Sequence, residues 1–282
     1  MSTCARLGND LDQYAVMGNP IDHSLSPKIH AAFAEQTGDR LSYRAILVEP
    51  GGFRRAVEDF FAQGGRGLNI TIPFKQEAWG LSRIRRGDAE RAGAVNTLYR
   101  DGHGRYCGET TDGIGFVRDF TVNLAAPLRD RRVLVLGAGG AVRGVLGPLL
   151  RAGPKQVVIA NRTLETARQL RQTSADLGAV AVSSFEALAG QCFDVVINGT
   201  ASSLGGLLPP LPDHLLSEDG ICYDMMYRRE PTPFIRWGRD HGARLSVDGL
   251  GMLVEQAAES FFLWRGVRPN TAPVLKMLRT DH

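Results

Sequence analysis

RVLVLGAGGAVRG, residues 132–144, decides the fold. An apolar run, Val133-Leu134-Val135-Leu136, reads as a buried strand. Gly137-Ala138-Gly139-Gly140-Ala141 then reads as a tight turn, and a helix starts behind it. Such an order exposes a bare backbone to a pyrophosphate and aims helix N–H groups at its charge. The G-x-G-x-x-G/A fingerprint fails at its last position, where Val142 stands, so the close approach is expected from Gly140 and Ala141. A glycine-rich strand-to-helix turn that binds nothing is the alternative reading.

Working outward, strand-like runs recur at 156–160, 180–182, 193–198, 220–223 and 244–247. Helical patterns at 140–152, 163–177 and 231–241 lie among them. Continuous Val/Ile/Leu strands spaced by helices predict a doubly wound parallel sheet covered on both faces, a Rossmann-type unit. Its second strand ends in Asn161-Arg162-Thr163. An acidic residue there would bond a ribose 2′-hydroxyl, whereas an arginine fork and a threonine hydroxyl suit a 2′-phosphate, so NADP is favoured over NAD. The competing reading makes Arg162 a surface residue, with NAD or no cofactor.

Before residue 112 the rhythm is less regular. Apolar runs at 14–17, 43–48 and 68–72 alternate with helical patterns at 27–37 and 51–63, a second α/β unit with polar connections. After 249, Leu250, Leu253, Val254, Ala257, Ala258 and Phe261 form an apolar helical stripe. The turn-rich 112–115 is taken as the junction, and 282 residues suit roughly two domains.

Composition narrows the partners. The formal charge is +3 and no block of like charges occurs, which argues against nucleic acid. No run is long and apolar enough for a membrane span, and the first ten residues lack a signal-peptide core. Cys4, Cys107, Cys192 and Cys222 are scattered, and the six histidines show no metal spacing; His23 and His30 are expected to face solvent or pack locally. A cytoplasmic protein without a metal is expected, with no G-x-S-x-G elbow for serine hydrolysis.

In the first half, Ser24-Leu25-Ser26-Pro27 reads as a helix start, with Ser26 as N-cap and Pro27 first in the helix, leaving Ser24 the freer donor. NITIPFK, 69–75, is a strand stopped by Pro73 with Lys75 just beyond. That lysine is either a solvated loop residue or a cation aimed at a small ligand. GAVNT, 93–97, and GETTDG, 108–113, each read as a polar loop.

HSLSP, NITIPFK, GAVNT, the TDG turn, GAGGA, NRT, DMMY and GLGMLVEQA occur in an order that resembles the shikimate dehydrogenases, from about residue 14 to 278. The resemblance implies two α/β domains around a cleft: 1–112 plus 249–282 binding substrate, and 113–248 binding NADP. It implies reduction of 3-dehydroshikimate to shikimate with NADPH, by a monomer or homodimer. Lys75 and Asp112 would be the catalytic pair, one coupled unit sharing a proton. Ser24, Ser26 and Tyr227 would hold the substrate carboxylate. Asn69, Thr71, Asn96 and Gln256 would contact its hydroxyls or their neighbours. Gly137, Ala138, Gly139, Gly140 and Ala141 would take the pyrophosphate, and Asn161, Arg162 and Thr163 the 2′-phosphate. Thr200, Met225 and Gly249 would line the nicotinamide end.

Two departures stand out. Thr110 replaces an asparagine common in the family. Thr166 replaces a second basic residue, with Glu165 beside it and Arg168 as the available substitute. A relative that oxidises quinate or prefers NAD is the near rival. A non-catalytic nucleotide sensor is the distant one, disfavoured because Lys75 and Asp112 are both present.

Overall fold

The computed structural model describes residues 11–200, 202 and 205–281. Its first sheet is built from β1 (Asp12–Gly18), α1 (Ser26–Thr37), β2 (Leu41–Leu47), α2 (Phe53–Ala62), β3 (Gly67–Ile70), α3 (Lys75–Leu81), β4 (Ile84–Arg85), α4 (Ala89–Ala92), β5 (Thr97–Arg100) and β6 (Tyr106–Glu109). The strand order is β2-β1-β3-β5-β6-β4. Strands β2, β1 and β3 run parallel through helical crossovers, while β5 is antiparallel to both its neighbours. Every residue of β3 is buried, as its place inside the sheet requires, and the chain reaches the surface just beyond it at Ile72.

Contrary to expectation, Ser26 does not cap α1. Leu25 precedes the helix, Ser26 is its first residue and Pro27 its second, and Ser24 Oγ accepts the Ser26 N–H at 3.3 Å. Proline tolerates either early position, since neither N–H has a partner inside the helix. The N-cap position is thus Leu25, which has no side-chain cap, and Ser24 meets only the first helical N–H.

The second sheet comprises β7 (Arg132–Leu136), α6 (Gly140–Arg151), β8 (Gln156–Ala160), α7 (Leu164–Gln172), β9 (Val180–Ser183), β10 (Phe193–Asn198), β11 (Leu216–Asp224), α8 (Pro233–Asp240) and β12 (Leu245–Val247). All its pairings are parallel, in the order β12-β11-β10-β7-β8-β9. This is the doubly wound dinucleotide-binding order, with β7 at the switch point. Val133 and Val135 enter the core on one face, and Leu134 and Leu136 the core on the other. That two-sided burial explains the unbroken apolar run. Helix α7 stops at Gln172, five residues before the expected end.

Between the sheets lie α5 (Asp112–Arg118), a π-helical turn (Asp119–Asn123), α9 (Leu250–Arg265) and α10 (Thr271–Asp281). Helix α5 packs on both α9 and α6. Glycines permit the contact: a Cβ on Gly115 would lie 2.7 Å from Gln256 Cβ, and one on Gly113 would lie 2.4 Å from Pro148 Cγ. Phe116 and Phe120 join the core of the second sheet, whereas Val254, Phe261, Val274 and Leu278 pack with Ile29 and Phe33 of α1. Polar groups cross the junction too. Tyr223 OH donates to Asp119 at 2.6 Å, and Glu255 accepts from Arg118 at 2.9 Å and Thr271 at 2.6 Å. Burial raises the Asp119 carboxyl, against the lowering pull of Tyr223 and Asn123. Among the described residues no helix is long and apolar enough to cross a membrane.

Candidate active site

Lys75 opens α3 and Asp112 opens α5, so two helix starts bring their side chains together. Lys75 Nζ lies 2.6 Å from Asp112 Oδ2, with the lysine side chain 21% exposed and the aspartate 9%. Val95 N–H donates to the Lys75 carbonyl at 2.9 Å, tying the GAVNT loop to α3. The pair is thus open to solvent only on the lysine side.

Asn96 fixes the aspartate. Its Nδ2 donates to Asp112 Oδ1 at 2.8 Å and lies 3.0 Å from Thr111 Oγ1 and 3.2 Å from Gln256 Oε1. Its Oδ1 accepts from the Thr111 N–H at 2.9 Å and the Thr97 hydroxyl at 3.0 Å. Gln256 is oriented in turn by Nε2 donating to the Leu253 carbonyl at 2.9 Å. A buried amide with every group engaged holds one orientation, which a catalytic carboxylate requires.

Asn69 lies one layer behind. Its Nδ2 meets Ser260 Oγ at 2.9 Å, the Asn96 carbonyl at 3.2 Å and Thr97 Oγ1 at 3.2 Å, while Oδ1 accepts from Tyr43 OH at 2.7 Å. Thr71 sits past the end of β3, half-buried, and its hydroxyl makes no hydrogen bond with another described residue. Tyr227 packs against the α1–α9–α10 core, and burial raises its hydroxyl.

Sequence reasoning assigned no role to Tyr43, Thr97, Thr111, Ser260 or His30. Thr97 and Thr111 stand inside quoted motifs, and Ser260 lies four residues after Gln256 on one helix face, a spacing that could have found it. Tyr43 and His30 carried no such signal. Their rings stack at 4.1 Å, and the fully buried His30 imidazole is pushed down to about 3 by burial. His30 packs locally and His23 is exposed, as expected.

On the other side, the cofactor candidates gather at the carboxyl ends of β7, β8, β10, β11 and β12, where doubly wound sheets bind ligands. Gly137 has φ 98°, a left-handed conformation that glycine adopts freely, and its N–H donates to the Ala160 carbonyl at 2.8 Å. Ala138 is buried beneath the turn, while Gly139, Gly140 and Ala141 are exposed at the start of α6 without a side-chain cap. Side chains on Gly139 or Gly140 would meet nothing within 4 Å, so the space beside them is open. Those bare N–H groups fit a pyrophosphate.

Close packing behind this turn is made through Val142. Val142 is fully buried, and a Cβ on Gly199 would lie 2.4 Å from its Cγ2. The missing small residue on the helix is thus replaced by a glycine after β10. Asn161 Nδ2 donates to the Thr163 carbonyl at 2.8 Å, which shapes the turn. Arg162 and Thr163 are exposed, and the Arg162 guanidinium pairs with no other described residue. Arg168 faces Glu165 at 3.6 Å, both exposed. Thr200 Oγ1 donates to Asn198 Oδ1 at 2.7 Å, and Met225 N–H to the Asn198 carbonyl at 2.9 Å. A Cβ on Gly249 would lie 2.3 Å from the Met225 carbonyl oxygen, so only glycine fits there.

Helix α6 also touches the Lys75–Asp112 pair. A Cβ on Gly144 would lie 3.2 Å from Asp112 Oδ2, and one on Gly147 2.6 Å from Asp88 Oδ1, which pairs with Arg151. One helix therefore presents its first turn to the dinucleotide site and its glycine face to Asp112.

A doubly wound nucleotide sheet facing a braced lysine–aspartate pair defines a nicotinamide-dependent dehydrogenase of small polar molecules. The shikimate dehydrogenase (NADP(+)) of Alkalilimnicola ehrlichii is 60% identical to this chain, over 96% of it and 99% of the relative. The chain belongs to the shikimate dehydrogenase family. Family models match at residues 16–98 (shikimate dehydrogenase substrate binding domain), 121–205 (shikimate / quinate 5-dehydrogenase) and 249–279 (shikimate 5'-dehydrogenase C-terminal domain). The Methylococcus capsulatus shikimate dehydrogenase (NADP(+)) is 55% identical over 96% of this chain and 97% of its own. Among solved structures, an Ael1 enzyme from Pseudomonas putida superposes with a TM-score of 0.89 at 48% identity, covering 95% of this chain and 98% of that one. The Thermus thermophilus shikimate 5-dehydrogenase, in complex with NADP(H) and shikimate, gives 0.85 at 32% identity, with 96% and 100% covered.

Proposed function

We infer that this chain catalyses the reversible NADPH-dependent reduction of 3-dehydroshikimate to shikimate. The observation that carries the reading is the Lys75–Asp112 pair, 2.6 Å apart and held by Asn96. NADP would rest on Gly137, Ala138, Gly139, Gly140 and Ala141, with Asn161, Arg162 and Thr163 at the 2′-phosphate and Thr200, Met225 and Gly249 at the nicotinamide. The bound cofactor supplies the hydride.

The remaining chemistry belongs to the chain. As the ketone oxygen gains charge, the Lys75 ammonium donates a hydrogen bond and then its proton, giving the alcohol. Asp112 holds the ammonium in place, and the exposed side of Lys75 allows a proton to return from solvent. Ser24, Ser26 and Tyr227 hold the carboxylate. Thr71 and Gln256 meet the hydroxyls, and Asn96 and Asn69 brace them from behind. In this reading 1–112 with 249–282 forms the substrate domain and 113–248 the NADP domain. Each chain carries a complete site, so a monomer and a homodimer serve equally. The working compartment is the cytoplasm, which keeps free thiols such as those of Cys107 and Cys222 reduced.

The test is absorbance at the nicotinamide band with shikimate or quinate and NADP or NAD, in all four pairings. Rapid reduction confined to shikimate with NADP is expected. Equal rates with quinate or NAD would move the chain to the broader specificity, in line with Arg168 being engaged by Glu165. No activity in any pairing would overturn the reading.

A further inference from the structure

Four arginines converge away from the cleft. An open recess of about 550 Å³ lies against the carboxyl end of α3, lined by Arg54, Arg83, Arg85 and Arg105 with Ser82 and Tyr106. No carboxylate is among its lining residues. The cations come from α2, from the turn and edge strand after α3, and from the loop between β5 and β6.

Two of the four heads, those of Arg85 and Arg105, are fixed from behind. Arg85 Nε donates to the Trp79 carbonyl at 3.0 Å, its guanidinium lies 3.7 Å over the Trp79 ring, and Nη1 meets Glu90 at 3.0 Å. Arg105 Nε donates to Asp101 Oδ2 at 2.8 Å, and Arg54 faces Glu58 at 3.8 Å. Arg83 is anchored by its backbone N–H on the Tyr106 carbonyl at 3.0 Å, while its exposed side chain pairs with no other described residue. Capping of α3 accounts for Arg85 alone. It leaves unexplained why three more guanidiniums of like charge surround the same space.

We propose that this recess binds a small phosphate-bearing anion, at a site separate from the dinucleotide cleft. Guanidinium forks match phosphate oxygens two at a time, and the heads of Arg85 and Arg105, already held in place, lose little freedom on binding. An anion also supplies Arg83 with the counter-charge that Glu58, Glu90 and Asp101 give the other three. The volume admits a pyrophosphate or a phosphorylated sugar-sized molecule. The inference stands independently of the reaction assigned to the cleft.

The experiment titrates inorganic pyrophosphate into NADP-saturated protein at constant ionic strength and follows heat by calorimetry. NADP saturation blocks the turn at Gly139 and Gly140 as a competing phosphate site. Saturable binding is expected, weakened at least about tenfold in the double variant R54A/R83A. Both positions are exposed and outside the catalytic machinery, so turnover of shikimate should be unchanged. Three results would each overturn the proposal: no saturable heat, equal binding in the double variant, or binding that vanishes as NADP is raised.

Discussion

Gly144 should be a position where size alone controls turnover. It lies inside α6, yet a side chain there would enter the proposed catalytic pair: its Cβ would stand 3.2 Å from Asp112 Oδ2, 3.3 Å from Asp112 Cβ and 3.4 Å from Thr110 Oγ1. Alanine needs Asp112 to recede by a few tenths of an ångström. The 2.6 Å bond to Lys75 can lengthen that far and remain a hydrogen bond. Helix propensity then works in favour of the change, by about 0.5–1 kcal/mol. Gly144→Ala should therefore match or exceed wild-type thermal stability and keep kcat within about threefold.

Valine differs. Its methyls extend one more bond, about 1.5 Å, so Asp112 must withdraw by about that order. A displacement of about 1 Å at a catalytic group costs about 10²-fold in rate, and the overpacking costs about 1–3 kcal/mol of stability. Steady-state kinetics, with circular dichroism to confirm folding, should show kcat for Gly144→Val down by about two orders of magnitude and the KM for NADP little changed. A folded valine variant with kcat within about threefold of wild type would refute the coupling of α6 to Asp112.

Other substitutions probe the remaining parts. Lys75→Ala should lower kcat by at least about 10²-fold with a smaller change in substrate KM, and near-normal turnover would remove its role as proton donor. Arg162→Ala should raise the KM for NADPH and leave that for NADH nearly unchanged; equal rises for both would sink the 2′-phosphate assignment. His30 makes stability depend on acid: its folded imidazole titrates at about 3 against 6.5 for the free group, so the neutral ring's contribution is complete above about 6.5 and lost as pH falls toward 3. The loss reaches about 2 kcal/mol near pH 5. Denaturant melts across this range should be flatter for His30→Phe, and an unaltered slope would show that His30 does not titrate on unfolding.

Much of the cleft was legible in the chain. Lys75, Asp112, Asn96 and Gln256 belong to quoted motifs, and the structure brings all four into one hydrogen-bonded cluster. The braces were not legible. Ser260 holds Asn69 across 191 residues of chain, and Tyr43 reaches the same amide from a strand whose pattern says only that it is half-exposed. A serine or tyrosine has no local property that announces a distant partner. The capping expectation at Ser26 failed for a related reason, since the path of the chain starts the helix at Ser26 itself and leaves Leu25 at the N-cap position.

By itself, the sequence determined the parallel second sheet and its glycine turn, because strands buried on both faces must be apolar throughout and a bare helix start needs glycine. It also set the residue types at the catalytic pair. Tertiary structure alone decided that Gly199, and not the α6 start, accommodates Val142, and that Gly144 keeps α6 clear of Asp112. It decided as well that Asn69 spends most of its amide on bracing. Each of these rests on atoms from distant parts of the chain competing for a few ångströms, and that competition exists only after the chain has packed.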